Sequence, residues 1–190
     1  MRSLPIVAVA GLGAGVIVGA LILSVDKLDD RSPRAKPASG ATWTEIQWPF
    51  PTDQFGRGRA FRCSEADCGT PVTLYVRAKI GFCNCITGVP DDEELERIGD
   101  LELLGGKAAA QGDGRPIVVA HMKGRSRSYA LAGGNQPGMS ALSIGYNDRC
   151  DAVVATVVVQ HDRPRDVEAS ALALLNGPTV MRWTEVMLGL

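Results

Sequence analysis

Apolar and polar positions fall into three regimes along the chain. Residues 4 to 25, LPIVAVAGLGAGVIVGALILSV, contain no charged side chain. At 1.5 Å rise per residue such a run makes a helix of roughly 33 Å, the thickness of the hydrocarbon layer of a bilayer. A cleaved secretory signal has a shorter apolar region, about 7 to 15 residues, closed by small residues at the cleavage site. Here Leu21, Ile22 and Leu23 precede Ser24 and Val25, and the next cluster of small residues, Ala38 to Ala41, lies far downstream. The pattern therefore predicts an uncleaved single-span anchor over residues 1–25, with a long cleaved signal as the alternative. No cysteine precedes Cys63, which excludes a lipid-modified cysteine at the end of this segment. Residues 26–41, DKLDDRSPRAKPASGA, are polar, hold two prolines and show no apolar period. They read as a flexible tether, which as a coil would reach on the order of 20 Å.

From residue 42 to 190 the pattern is mainly that of strands. In TPVTLYVRAKIGF, residues 70–82, Val72, Leu74, Val76, Ala78 and Ile80 alternate with Thr73, Tyr75, Arg77 and Lys79, as in a half-buried strand. Residues 116–131 and 140–147 repeat the habit. Residues 152–159, AVVATVVV, form a continuous β-branched run that suits a central strand covered on both faces. Turn chemistry at Asn147-Asp148-Arg149 predicts a hairpin between these last two. WPFP at 48–51 breaks the first strand with two prolines and marks an edge segment.

Two helices interrupt the strands. PDDEELERIGDLELL, residues 90–104, opens on proline and four acids, favourable at a helix N-terminus, and directs Leu95, Ile98, Leu101, Leu103 and Leu104 inward. The acids lack the spacing of a calcium loop. DVEASALALLN, residues 166–176, is the second helix, stopped by Gly177-Pro178. The tail from Thr179 reads as a further short helix. The fold class expected is α+β: after the transmembrane helix, one domain, mainly an antiparallel sheet, with one or two helices packed on a face.

Composition sharpens the picture. Twenty Lys and Arg oppose 21 Asp and Glu, a net charge of -1, so bulk charge argues against a nucleic-acid partner. Within the anchor, Gly11, Gly15 and Gly19 recur every four residues and stack on one helix face, a pattern that lets another helix approach closely. The partner expected there is another membrane protein or a second copy, although glycine is common in membrane helices. Orientation is contested. Arg2 alone precedes the apolar run, whereas Lys27, Arg31, Arg34 and Lys36 follow it, which counts towards a cytoplasmic domain. The short leading segment and the cysteine pattern favour the other side, and the expectation adopted is a single-pass inner-membrane protein with a periplasmic domain.

Five cysteines form the least ordinary constellation: Cys63-x4-Cys68, Cys83-x-Cys85 and Cys150. Structural disulfides are the preferred reading, with Cys63 bridged to Cys68 and Cys150 bridged to Cys83 or Cys85. On a strand, Cys83 and Cys85 would point to one face, an arrangement suited to Cu(I) or to a dithiol that exchanges with a partner. Zinc fits less well because C-x-C is too tight for a usual ligand pair. No cofactor is expected on balance.

His121, Lys123, Arg125, Arg127 and Tyr129 occupy every second position, so a strand would carry them as a basic stripe. The plain reading is a charged edge strand; the functional one is an anionic contact made by Lys123, Arg125 and Arg127. Trp43, Trp48, Phe50 and Trp183 read as core anchors. No nucleophile elbow, phosphate loop or zinc-protease motif occurs, Gly112-Asp113-Gly114 reads as a turn, and His161-Asp162 reads as a strand end. The chain is thus expected to be a non-catalytic accessory or assembly protein of a bacterial-type envelope acting by contact. A thiol- or metal-handling protein using Cys83 and Cys85 is the competing class.

Overall fold

The computed structural model describes residues 40–82, 84–133, 138–160 and 162–190. The apolar run at 4–25 with Gly11, Gly15 and Gly19, nearly all of the tether, Cys83 and His161 lie outside the described residues. Eight strands make one sheet: β1 (Trp43–Ile46), β2 (Arg59–Cys63), β3 (Val72–Lys79), β4 (Lys107–Ala110), β5 (Arg115–Val119), β6 (Met122–Ala132), β7 (Ser140–Asp148) and β8 (Asp151–Val159). Their order is β1-β2-β3-β8-β7-β6-β4, with β5 also on β6, and every pairing is antiparallel. Four helices accompany it: α1 (Glu65–Cys68), α2 (Asp92–Ile98), α3 (Glu168–Leu175) and α4 (Pro178–Leu188). The domain is α+β and mostly antiparallel sheet.

β8 occupies the centre because its run of valines satisfies both faces. Val153, Ala155, Val157 and Val159 join the larger core beneath α3 and α4, where Val167, Ala171, Leu175 and Val180 meet them. Ala152 and Val154, alternating with these, pack instead against Leu95 and Ile98 of α2. Since successive strand residues point to opposite faces, the helices lie on both sides of the sheet. This corrects the expectation of helices on one face. It also revises β3: Val72, Leu74, Val76 and Ala78 are buried as expected, but Arg77 and Lys79, assigned by alternation to the solvent, are each only 2% exposed under the α2 layer.

Three further elements depart from the pattern. Residues 116–131 are two strands, not one. Ala120 and His121 form a two-residue turn between Val119 and its partner Met122, with Ala120 at φ 52°, so His121 sits in the turn rather than on the stripe. The turn lacks the Asn-Gly signature, and uninterrupted alternation reads the same through one strand or two. Secondly, β6 is no edge strand, because β7 flanks one side and β4 and β5 the other. The edges are β1 and the β4–β5 line, which is interrupted where residues 111–114 stand opposite only Arg127 and Ser128, a bulge. Thirdly, the helix expected over 90–104 ends at Ile98, and a 3-10 turn over Leu101–Leu104 follows. The hairpin between β7 and β8 turns at Arg149 and Cys150, with Asp148 paired to Asp151. The tail is helical, as α4.

Candidate functional site

The chemistry-bearing residues gather at the end of the sheet where β3 stops and β8 begins. Lys79 pairs with Ala152 there, and just beyond it the Gly81 N–H donates to Asp151 Oδ1 at 2.6 Å. Residues 84–91 run as a loop to α2 rather than along a strand, and the same-face geometry expected for Cys83 and Cys85 lies outside the described residues because Cys83 does. Asn84 organises the loop: its Oδ1 accepts from the N–H groups of Ile86 (2.9 Å) and Thr87 (3.3 Å), and its carbonyl accepts from Gly88 N–H at 2.8 Å. Gly88 has φ +64°, and a Cβ there would fall 2.1 Å from Asn147 Oδ1, so glycine alone fits. Asn147 in turn accepts from Val89 N–H at 3.3 Å. The tip is pinned by a disulfide from Cys85 to Cys150 in the β7–β8 turn, and it presents Ile86 at 94% exposure.

Beneath this loop lies a charge cluster in which Arg77, Lys79 and Asp100 are buried and Asp53 is exposed. The Arg77 guanidinium grips both oxygens of Asp100, Nε to Oδ2 at 2.5 Å and Nη2 to Oδ1 at 2.6 Å, and its Nη1 reaches Asp53 Oδ2 at 2.6 Å. Lys79 Nζ is 2.7 Å from Asp100 Oδ1 and donates to the Gly99 carbonyl at 3.3 Å. The rings of Phe55 and Phe82, in edge contact, face the Lys79 ammonium at 4.6 and 5.4 Å. Burial works against the charged Arg77 most strongly, but the hydrogen bonds to Asp100 and Asp53 outweigh it and raise its pKa. The hydrogen bond from Arg77 holds Asp53 below the usual carboxylate range. Two positive charges meet two negative ones, so the cluster is internally matched. It ties the Asp53 loop and the Gly99-Asp100 segment to β3, and this is why the helix expected through residue 104 breaks where it does.

The basic stripe is likewise engaged inside the molecule. Arg125 pairs with Asp92 and donates to the Gly114 carbonyl at 3.2 Å. Arg127 lies 3.4 Å from Asp92 Oδ2 and 2.7 Å from Glu96 Oε1, and it donates to the Gly112 carbonyl at 2.9 Å. Lys123 is exposed. The stripe therefore mounts α2 on the sheet and brackets the 111–114 bulge. Burial raises Asp92's pKa as its largest single influence, but the Gly114 N–H and the two arginines outweigh it and leave the carboxyl low. Asp91 caps α2 by accepting from Glu94 N–H at 2.9 Å, so the acid cluster acts as a helix start.

The second disulfide joins Cys63 to Cys68 around α1 and sits at the opposite end of β3, with Cys63 fully buried. Of the pair Cys83 and Cys85 the structure places only Cys85, and it is bonded to Cys150. Among the described residues no group of three or more His, Cys, Asp or Glu is arranged to hold a metal ion, and no helix is long and apolar enough to cross a membrane. Sequence reasoning missed the Arg77, Lys79, Asp53 and Asp100 cluster. The available signal was Gly99-Asp100, a helix breaker and an acid inside an otherwise helical pattern. The chain matches no family model, no curated protein and no solved structure.

Proposed function

We propose that the protein is a membrane-anchored accessory or assembly factor of a bacterial-type cell envelope, acting by protein contact rather than catalysis. The anchor is residues 1–25, the contact within the bilayer is the Gly11, Gly15 and Gly19 face, and the domain lies outside the cytoplasm. The observation that carries this reading is the pair of disulfides, Cys63–Cys68 and Cys85–Cys150, in a domain joined to a charge-free segment long enough to span a bilayer. Disulfides persist in oxidising compartments, and a core of this size does not need them to fold. The matched charges at both clusters support a role in which side chains hold loops in place. Protease added to intact spheroplasts should digest the domain, and replacement of Gly11, Gly15 and Gly19 by Leu should abolish co-purification of a membrane subunit from detergent. A protected domain with unchanged partners would overturn the reading.

Thiol exchange through Cys83 and Cys85 is the second reading. It is favoured by one observation, the exposed position of Cys85 in its bridge, two residues along the chain from Cys83. Copper or zinc held by the same pair would first require that bridge to open.

A further inference from the structure

The two disulfides stand in different surroundings. Cys63 is 0% exposed in the large core and its partner Cys68 is half-buried against that core, so this bridge offers a nucleophile no fully exposed cysteine. Cys85 lies on the exposed loop that runs from β3 to α2. Exchange requires a thiolate to reach the attacked sulfur, and access therefore ranks the bridges. We propose that Cys85–Cys150 is a redox-modification site, opened by a dithiol reductant while Cys63–Cys68 stays closed, and that opening releases the loop tip at residues 84–88.

In the first step the reductant thiolate bonds to Cys85 Sγ as the S–S bond breaks, and Cys150 leaves as a thiolate that takes up a proton. The reductant's second thiolate then attacks its own sulfur in the mixed disulfide, and Cys85 leaves and is protonated. Two electrons pass to the protein, the dithiol becomes a disulfide, and its two protons end on Cys85 and Cys150.

Release is confined to the tip because the two ends of the loop have their own ties. Gly81 is bonded to Asp151, Arg97 Nη2 donates to the Phe82 carbonyl at 2.7 Å, and Val89 is both 5% exposed and bonded to Asn147. Among the described residues, the ties between them are the disulfide, the Asn84 turn, whose bonds to Ile86, Thr87 and Gly88 run within the tip itself, and one long bond from the Asn84 N–H to Glu94 Oε1 of α2 at 3.4 Å. Reduction thus removes the covalent tie of residues 84–88, with Ile86 among them, leaves that single long bond at the foot of the tip, and leaves the sheet intact.

The test uses the full chain in detergent micelles carrying Cys83→Ser, so that every thiol counted comes from a bridge. It is titrated with dithiothreitol, trapped with iodoacetamide and mapped by peptide mass spectrometry. Cys85 and Cys150 should be alkylated at roughly tenfold lower reductant than Cys63 and Cys68. Amide exchange at 84–88 should then rise by about tenfold, with β3 and β8 unchanged. Wild-type chain blocked at Cys83 before reduction gives the same readout should the variant fail to fold. Simultaneous opening of both bridges, earlier opening of Cys63–Cys68, or an unchanged exchange rate at the tip would overturn the proposal.

Discussion

At the scale of single residues, Asp100 decides the state of two buried cations. Its carboxylate meets both Arg77 and Lys79, and all three are at most 4% exposed. Removing Asp100 takes from buried Lys79 the carboxylate it contacts, while Arg77 keeps Asp53, and breaking a buried ion group in this way costs about 3 kcal/mol. Asp100→Ala should therefore lower the unfolding free energy by that amount in urea denaturation, whereas loss of Glu102, an exposed residue two positions on, should change it by under about 0.5 kcal/mol. An equal, small effect at both positions would show that the cluster contributes nothing to stability. The opposite sign is expected at Thr156. It is 2% exposed, faces Ser143 across β7 and β8, and its Oγ1 has no hydrogen-bond partner among the described residues. Thr156→Val keeps the shape and the strand preference while removing an unpaired buried hydroxyl. It should raise the unfolding free energy by about 1 kcal/mol, and a fall of that size would reveal a partner for the hydroxyl.

At the scale of elements, α2 is short and stays on the sheet through charge as much as through Leu95 and Ile98. Asp92 links it to Arg125, Arg127 and the Gly114 N–H, and its folded pKa lies below the ordinary 3.8. A depressed carboxylate contributes stability that is present above the unfolded pKa and lost as pH falls through the folded one. The urea midpoint should stay level from neutral pH to about 5 and decline as the pH falls below about 4. Asp92→Asn should lower the neutral-pH midpoint and shallow that decline, and an unchanged slope would place the acid sensitivity elsewhere. The start of α2 was legible in the sequence because Pro90, Asp91 and the acids after it act locally. Its end was not, because Gly99 and Asp100 answer to Arg77 on a strand about twenty residues earlier. The same division holds for the strands. β8 announced its central place through consecutive valines that need cover on two faces. β3 concealed its second buried face, since buried arginine and lysine look identical to exposed ones until their acids are placed. The Cys63–Cys68 bridge was readable from spacing, whereas Cys150 had two candidate partners, Cys83 and Cys85, and it is the fold that brings Cys85 to it. The mount made by Arg125 and Arg127 was read as a stripe, and what it holds was not.

At the scale of the molecule, the sheet is joined along the β3–β8 seam, where residues 72–79 pair with 152–159. The strands β1 to β3 lie on one side of it and β7, β6, β5 and β4 on the other, so the two halves meet only after most of the chain is made. Such long-range pairing carries a large loop-closure entropy. The Cys85–Cys150 bridge spans the same seam, with a sequence separation of 65 against 5 for Cys63–Cys68. On the chain-entropy account, closing the longer loop removes about 4 kcal/mol of unfolded-state freedom and the shorter about 2 kcal/mol. The double variant Cys85→Ser, Cys150→Ser should accordingly lose about twice the stability of Cys63→Ser, Cys68→Ser in guanidinium denaturation, despite the greater burial of Cys63. If the buried short bridge proves the more costly to remove, native packing around Cys63 outweighs loop closure, and the seam is stabilised by the β3–β8 ladder itself rather than by the covalent link at its end.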